Sequence, residues 1–175
     1  MPFAAAVAAL FVLGTAVPFS FSSSASRVVS TIRIHREIGD VFNFFTTPGN
    51  WPGWHPASIS VAGAADHSLE TGEEVEEEIR TGGARAQARW RVTARDAPYL
   101  WRIEGTPASA AGDARVSITY RLRMEGRDTV FERDMEYRFN PLWLRMLDRL
   151  FIRRRMERQS QQALSNAKKI LENPA

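Results

Sequence analysis

At 175 residues the chain has the length of one domain, and with 44% hydrophobic and 25% charged residues it has the apolar content of a packed core rather than of a disordered or fibrous chain. The absence of cysteine excludes disulfides, thiolate nucleophiles and Cys-ligated zinc or iron–sulfur centres, and the three histidines, His35, His55 and His67, show no HExxH or HxH spacing on which a metal site would rest. Arginine supplies nearly all the positive charge, lysine occurring only at Lys168 and Lys169, but the formal net charge is only +3 and most arginines alternate along strand-like segments, so neither nucleic acid, metal nor cofactor is expected.

The first 26 residues carry no charged side chain, and the run 3–19 is almost wholly apolar. This leader reads as a signal peptide or a membrane anchor, with a domain at 27–175 following it. Ser24, Ala25 and Ser26 offer small residues near a cleavage point, whereas, if the run stays as an anchor, Arg27, Arg33 and Arg36 after it favour keeping the domain on the cytoplasmic side. The expected location is therefore membrane-associated or exported, with cytoplasmic as the alternative.

Beyond the leader, β-branched residues alternate with polar ones over 27–36, predicting a first strand. Asp40 opens a short helix through Val41, Phe42, Phe44 and Phe45 that ends at Pro48-Gly49-Asn50. The segment Trp51-Pro52-Gly53-Trp54-His55-Pro56 is too rich in proline and glycine for more than one turn, and its two tryptophans require burial. Six further strands are expected at about 57–62, 72–81, 85–95, 99–105, 115–125 and 129–140, separated by short turns in an antiparallel meander with one wet and one covered face. The acidic run Glu73, Glu74, Glu76, Glu77 and Glu78 splits between faces, which suits a solvated edge strand better than a cation site.

After Pro141 the chain is free of glycine and proline until Pro174, predicting one helix of about thirty residues and about 45 Å. Leu142, Met146, Leu147, Leu150, Phe151, Ala163, Ala167, Ile170 and Leu171 fall near helical spacing and are expected to cover the sheet. Arg149, Arg153, Arg154, Arg155 and Arg158 form a basic helix face, either simply solvated or suited to anionic lipid; without interleaved aromatics it fits lipid better than RNA.

The order of strand, two short helices, six strands and a long terminal helix resembles the START-like helix-grip superfamily, specifically the SRPBCC group of polyketide cyclase/dehydrase-like proteins. The residues that carry the resemblance are Asp40-Val41-Phe42-Asn43-Phe44-Phe45, Pro48 to Trp54, and Leu100-Trp101-Arg102-Ile103-Glu104-Gly105, with the last strand and helix. It implies an α+β fold in which a curved antiparallel sheet of about seven strands wraps around a long C-terminal helix, enclosing a cavity. The implied function is binding or transport of a lipid or other hydrophobic small molecule; the alternatives are a polyketide cyclase/dehydratase-like enzyme using the same cavity, or a partner-binding domain with a filled core.

Seven residues are expected at such a cavity: Trp54, His55, Trp90, Trp101, Tyr120, Arg133 and Tyr137. Phe131, Arg133, Met135, Tyr137 and Phe139 share one strand face, so Arg133 is expected inside, either receiving an anionic ligand oxygen or paired with Glu73 or Glu77. His55 is either an acid/base group or an entrance residue, and Tyr137 either donates its hydroxyl to a ligand or packs in the core. Trp90, Trp101 and Tyr120 are either ligand walls or core.

Overall fold

Period-two patterning gives strand β1 (Ser26–Ile34), which buries Val28, Ser30 and Ile34 and turns Arg27, Val29 and Arg33 outward. The computed structural model describes residues 25–81, 84–109, 112–140 and 142–173, so the leader expected at 1–26 lies almost wholly outside the described residues. Helix α1 (Ile38–Thr46) buries Val41, Phe42 and Phe45, and the Phe45 ring stacks on Phe131 at 3.8 Å between centroids. A 3-10 turn (Pro48–Asn50) leads into the single-turn helix α2 (Trp51–Trp54). Both its tryptophans are buried, and Trp51 Nε1 donates to the Phe45 carbonyl at 2.9 Å.

The meander follows as β2 (Ser58–Gly63), β3 (Glu74–Thr81), β4 (Ala84–Asp96), β5 (Leu100–Gly105), β6 (Ala108–Ser109), β7 (Gly112–Glu125) and β8 (Asp128–Phe139). All pairings are antiparallel, in the order β1-β8-β7-β5-β4-β3-β2, with β6 bridging β4 and β7. Irregularities at Val92/Ala94 in β4 and Ser58/Ser60 in β2 add the local bend that curls the sheet. Strand β6, at two residues, is too short to leave a period in the sequence. The acidic strand β3 is not an edge: it lies between β4 and β2, and its outer carboxylates meet β4 arginines, Glu74 with Arg89 at 2.8 Å and Glu78 with Arg85 at 2.7 Å.

The terminal helix is expected in one piece and is found in three: α3 (Leu142–Leu147), a π-helical turn (Asp148–Ile152) and α4 (Arg153–Glu172). A π turn inserts an extra residue, which rotates everything before it by about 100° relative to the helix after it. The expected apolar stripe is therefore split. Ser160, Ala163, Leu164 and Ala167 of α4 are buried, and the small side chains among them allow the helix to approach the sheet closely. Leu142, Met146, Leu147 and Phe151, and beyond the π turn Ile170, expected to cover the sheet, are instead exposed, and the side chain of Leu150 is outside the described residues. The C-terminal end of α4 is pinned to the first strand and its loop, by Lys168 Nζ to the Arg33 carbonyl at 2.7 Å and by the His35 amide to Glu172 at 2.7 Å. This is the helix-grip architecture. Among the described residues no helix is long and apolar enough to cross a membrane.

Candidate functional site

Alternation along β8 sends Phe131, Arg133, Met135 and Tyr137 to the inner face, where all four are buried. The register sets Arg133 opposite Ser30 on β1 and Tyr120 on β7, and Tyr120 opposite Trp101 on β5. One cross-strand row thus reads Ser30, Arg133, Tyr120, Trp101. Above this inner face, between it, α2 and the terminal helix, lies a cavity of about 430 Å³, within the range of small-molecule sites. Its walls are mainly apolar, including Ala86, Ile103, Ile118, Met135 and Ile152. The exposed Asp113, Phe151 and Arg155 also line it, so this is where it reaches the surface.

A few polar groups converge inside. Arg133 is 4% exposed. Its Nη1 reaches Ser160 Oγ at 3.4 Å and its Nη2 the Met135 sulfur at 3.5 Å, both long contacts, and its Nε has no acceptor among the described residues. A guanidinium keeps its charge when buried, and a buried charge without a counter-ion is costly. The pairing expected with Glu73 or Glu77 does not form. Glu73 precedes β3 and turns outward to His67 at 3.1 Å, while Glu77, although buried and lining the cavity, makes no ion pair with Arg133 within 4.0 Å and instead accepts from Trp90 Nε1 at 2.8 Å. Burial raises the Glu77 carboxyl above its usual range, an effect that the Trp90 N–H and the Arg133 charge oppose. Two further buried polar atoms, Ser30 Oγ and Trp54 Nε1, also have no partner among the described residues.

His55 lines the cavity, and its ring is pushed down to about 3, first by burial and then by the Arg133 charge. Its Nδ1 accepts the Ala57 amide at 3.2 Å. At neutral pH the ring is therefore neutral with its proton on Nε2, an arrangement that donates one hydrogen bond and has no free lone pair for a base. Burial raises the Tyr120 hydroxyl above its ordinary range, and the Arg133 charge pulls the other way.

Six of the seven residues expected from the sequence, Trp54, His55, Trp90, Tyr120, Arg133 and Tyr137, come together around this cavity. The seventh, Trp101, is not among its lining: it is fully buried behind Tyr120, stacked on that ring at 5.2 Å and tied by Nε1 to the Leu69 carbonyl at 3.2 Å. Tyr137 contributes its ring, but its hydroxyl is bonded to Asp148 Oδ1 at 2.7 Å. Sequence reasoning missed Ser160, Asp148 and Trp51. Trp51 could have been found beside Trp54, and the buried small-residue face Ser160, Ala163 and Ala167 is legible at helical spacing; nothing local marks Asp148. Among the described residues no cluster of histidine and carboxylate side chains is arranged to hold a metal.

Residues 25–172 match the family model described as polyketide cyclase / dehydrase and lipid transport. No curated protein matches the chain significantly. Among solved structures, the Mll3558 protein from Rhizobium loti aligns at 11% identity and a TM-score of 0.65, covering 82% of this chain and 95% of that one. A conserved protein from Geobacillus kaustophilus aligns at 12% identity with a TM-score of 0.65, covering 83% and 95%. DynU16, a protein of the dynemicin biosynthetic locus, aligns at 10% identity and a TM-score of 0.58, covering 84% of this chain and 47% of that one. At these identities the structural likeness speaks for the fold alone.

Proposed function

This chain belongs to the polyketide cyclase / dehydrase and lipid transport family, and from that premise we propose that it holds a hydrophobic small molecule whose anionic end sits at Arg133. The observation that carries this reading is Arg133 itself: a buried cation with no carboxylate within ion-pair distance among the described residues, in a cavity otherwise walled mainly by apolar side chains. A carboxylate or phosphate entering beside Arg133, with the Tyr120 hydroxyl and the His55 imidazole nearby, would give the Arg133 guanidinium, whose Nε has no acceptor among the described residues, an anionic partner. The rest of such a ligand would run along the apolar wall toward Phe151.

Binding is preferred over catalysis because of His55. A cyclase or dehydratase drawing on the same groups has donors to polarise a carbonyl, but the His55 lone pair is already taken by the Ala57 amide, which leaves no imidazole base. A partner-binding domain with a filled core does not account for a cavity of about 430 Å³.

The test is extraction of the full-length protein with organic solvent and native mass spectrometry, followed by titration with a long-chain carboxylate and the matching alcohol. A stoichiometric amphiphile is expected. Arg133→Met is expected to weaken the carboxylate by roughly ten- to a hundredfold while sparing the alcohol, and to raise the unfolding temperature of the ligand-free protein by a few degrees, about what relief of a buried uncompensated charge gives. Absence of any uptake, or a variant that binds both probes like the parent, would sink the reading.

A further inference from the structure

The π turn leaves one helix face unpartnered. Leu142 is 69% exposed, Trp143 53%, Met146 66%, Leu147 40% and Phe151 68%. These residues recur at three and four positions along α3 and the π turn and so form one contiguous surface rather than scattered exposure. On the adjoining turn stand Arg154 and Arg155, followed by Arg158, all exposed and without a carboxylate partner among the described residues. The sheet treats its arginines differently: Arg27, Arg85, Arg89, Arg121 and Arg123 each meet a carboxylate within 3.1 Å. Positive charge is thus neutralised at these sheet positions, though not at Arg80 or Arg138, whereas Arg154, Arg155 and Arg158 beside the apolar helix face are all left without a carboxylate among the described residues. Arg153 belongs to the neutralised set, since it pairs with Glu157 at 3.2 Å.

A third observation concerns where the chain enters the domain. The apolar run 3–19 joins the fold at β1, and the hydroxyl of Ser26, the first residue of that strand, donates to Asp148 in the π turn. The first strand therefore begins at the turn that separates Leu147 from Phe151.

We propose that the face formed by Leu142, Trp143, Met146, Leu147 and Phe151, with Arg154, Arg155 and Arg158 beside it, docks on a lipid bilayer carrying anionic headgroups. An amphipathic helix of this kind lies in the interface, its apolar side chains among the acyl chains and its cations at the headgroups. The occupant is assigned from charge complementarity and from the apolar run 3–19, which in sequence precedes the strand that begins at this turn. Phe151 and Arg155 also line the cavity where it reaches the surface, so docking would set the cavity mouth against the bilayer. The docking proposal stands whether or not the cavity binds an amphiphile.

The protein carries its own depth probe. Of its five tryptophans, Trp51, Trp54, Trp90 and Trp101 are at most 6% exposed, and Trp143 alone is accessible. The full-length chain is mixed with phosphatidylcholine vesicles, with and without phosphatidylglycerol, containing phospholipid brominated near the headgroup. Anionic vesicles are expected to quench the Trp143 emission, Trp143→Phe to abolish that quenching, and joint replacement of Arg154, Arg155 and Arg158 by glutamate to weaken binding by about tenfold or more. Vesicle binding that leaves Trp143 unquenched would show that the leader alone holds the protein and would overturn the proposal. So would absence of binding, or Trp143 shielded from acrylamide before vesicles are added, which would place the leader or a second copy on this face.

Discussion

The hydroxyl of Tyr137 donates a hydrogen bond of 2.7 Å to Asp148, tying the last strand to the π turn of the terminal helix. Asp148 is buried, and its second oxygen accepts from Ser26 at the start of the first strand. Three distant segments therefore converge on one carboxylate. Burial and the neighbouring Asp148 together hold the Tyr137 hydroxyl well above its ordinary range, so it remains a donor.

Tyr137→Phe removes one of the two hydroxyls that satisfy Asp148. The expected cost is about 1–3 kcal/mol of stability, the usual penalty for leaving a buried acceptor short of a donor. Hydrogen exchange followed by mass spectrometry should show faster exchange in α3 and the π turn and little change near Lys168 and Glu172, which have their own ties to the first strand and its loop. Uniform acceleration along the whole terminal helix would contradict a local role for the Tyr137–Asp148 bond.

His55 gives the stability a defined pH dependence. Its pKa is about 3 in the fold against an ordinary 6.5, so between those values the unfolded chain binds a proton that the folded one does not. The contribution is complete above pH 6.5 and is lost as the pH falls toward about 3. His55→Asn keeps an acceptor for the Ala57 amide but cannot titrate. Chemical denaturation across this range should give a slope of stability against pH shallower in the variant by up to about 1.4 kcal/mol per pH unit. Parallel slopes would mean that the imidazole is more solvated than its place in the cavity wall implies.

Gly105 lies directly opposite Trp90 in the β4–β5 pairing, beneath the indole. A Cβ at this position would collide with the Trp90 ring and stand 2.6 Å from the Arg89 carbonyl. Gly105→Ala is expected to cost about 1–3 kcal/mol, as overpacking does, and to displace the indole N–H from Glu77. Trp90→Phe on that background should recover part of the loss, because a smaller ring clears the methyl. If the double variant is no more stable than Gly105→Ala alone, the clash is with the Arg89 backbone and not with the indole.

Much of the fold was legible because strand and helix periods are local. The alternation of Val28, Ser30 and Ile34, the aromatic face of α1, and the inward set Phe131, Arg133, Met135 and Tyr137 all follow from side chains repeating every second residue or every turn. Arg133 is the most informative of these, since period two alone places a cation among buried apolar neighbours. The site was less legible at the level of partners. Glu73 and Glu77 are equivalent by parity, yet the chain before β3 turns Glu73 outward while the ladder holds Glu77 inside; Trp101 follows the same inward parity as the cavity residues but lies behind Tyr120.

By itself, then, the sequence determined which faces are apolar, that no thiol chemistry is present, and that a cation enters the core, because each depends on residue identity and short-range spacing. Tertiary structure alone decided that Arg133 finds no carboxylate within ion-pair distance among the described residues, that Asp148 gathers Ser26 and Tyr137, and that Leu142, Trp143, Met146, Leu147 and Phe151 face outward. Each of these depends on strand register or on helix phase. A single inserted residue in a π turn rotates a helix face by about 100°, and no periodicity over the flanking residues records on which side of that turn the packing against the sheet will be kept.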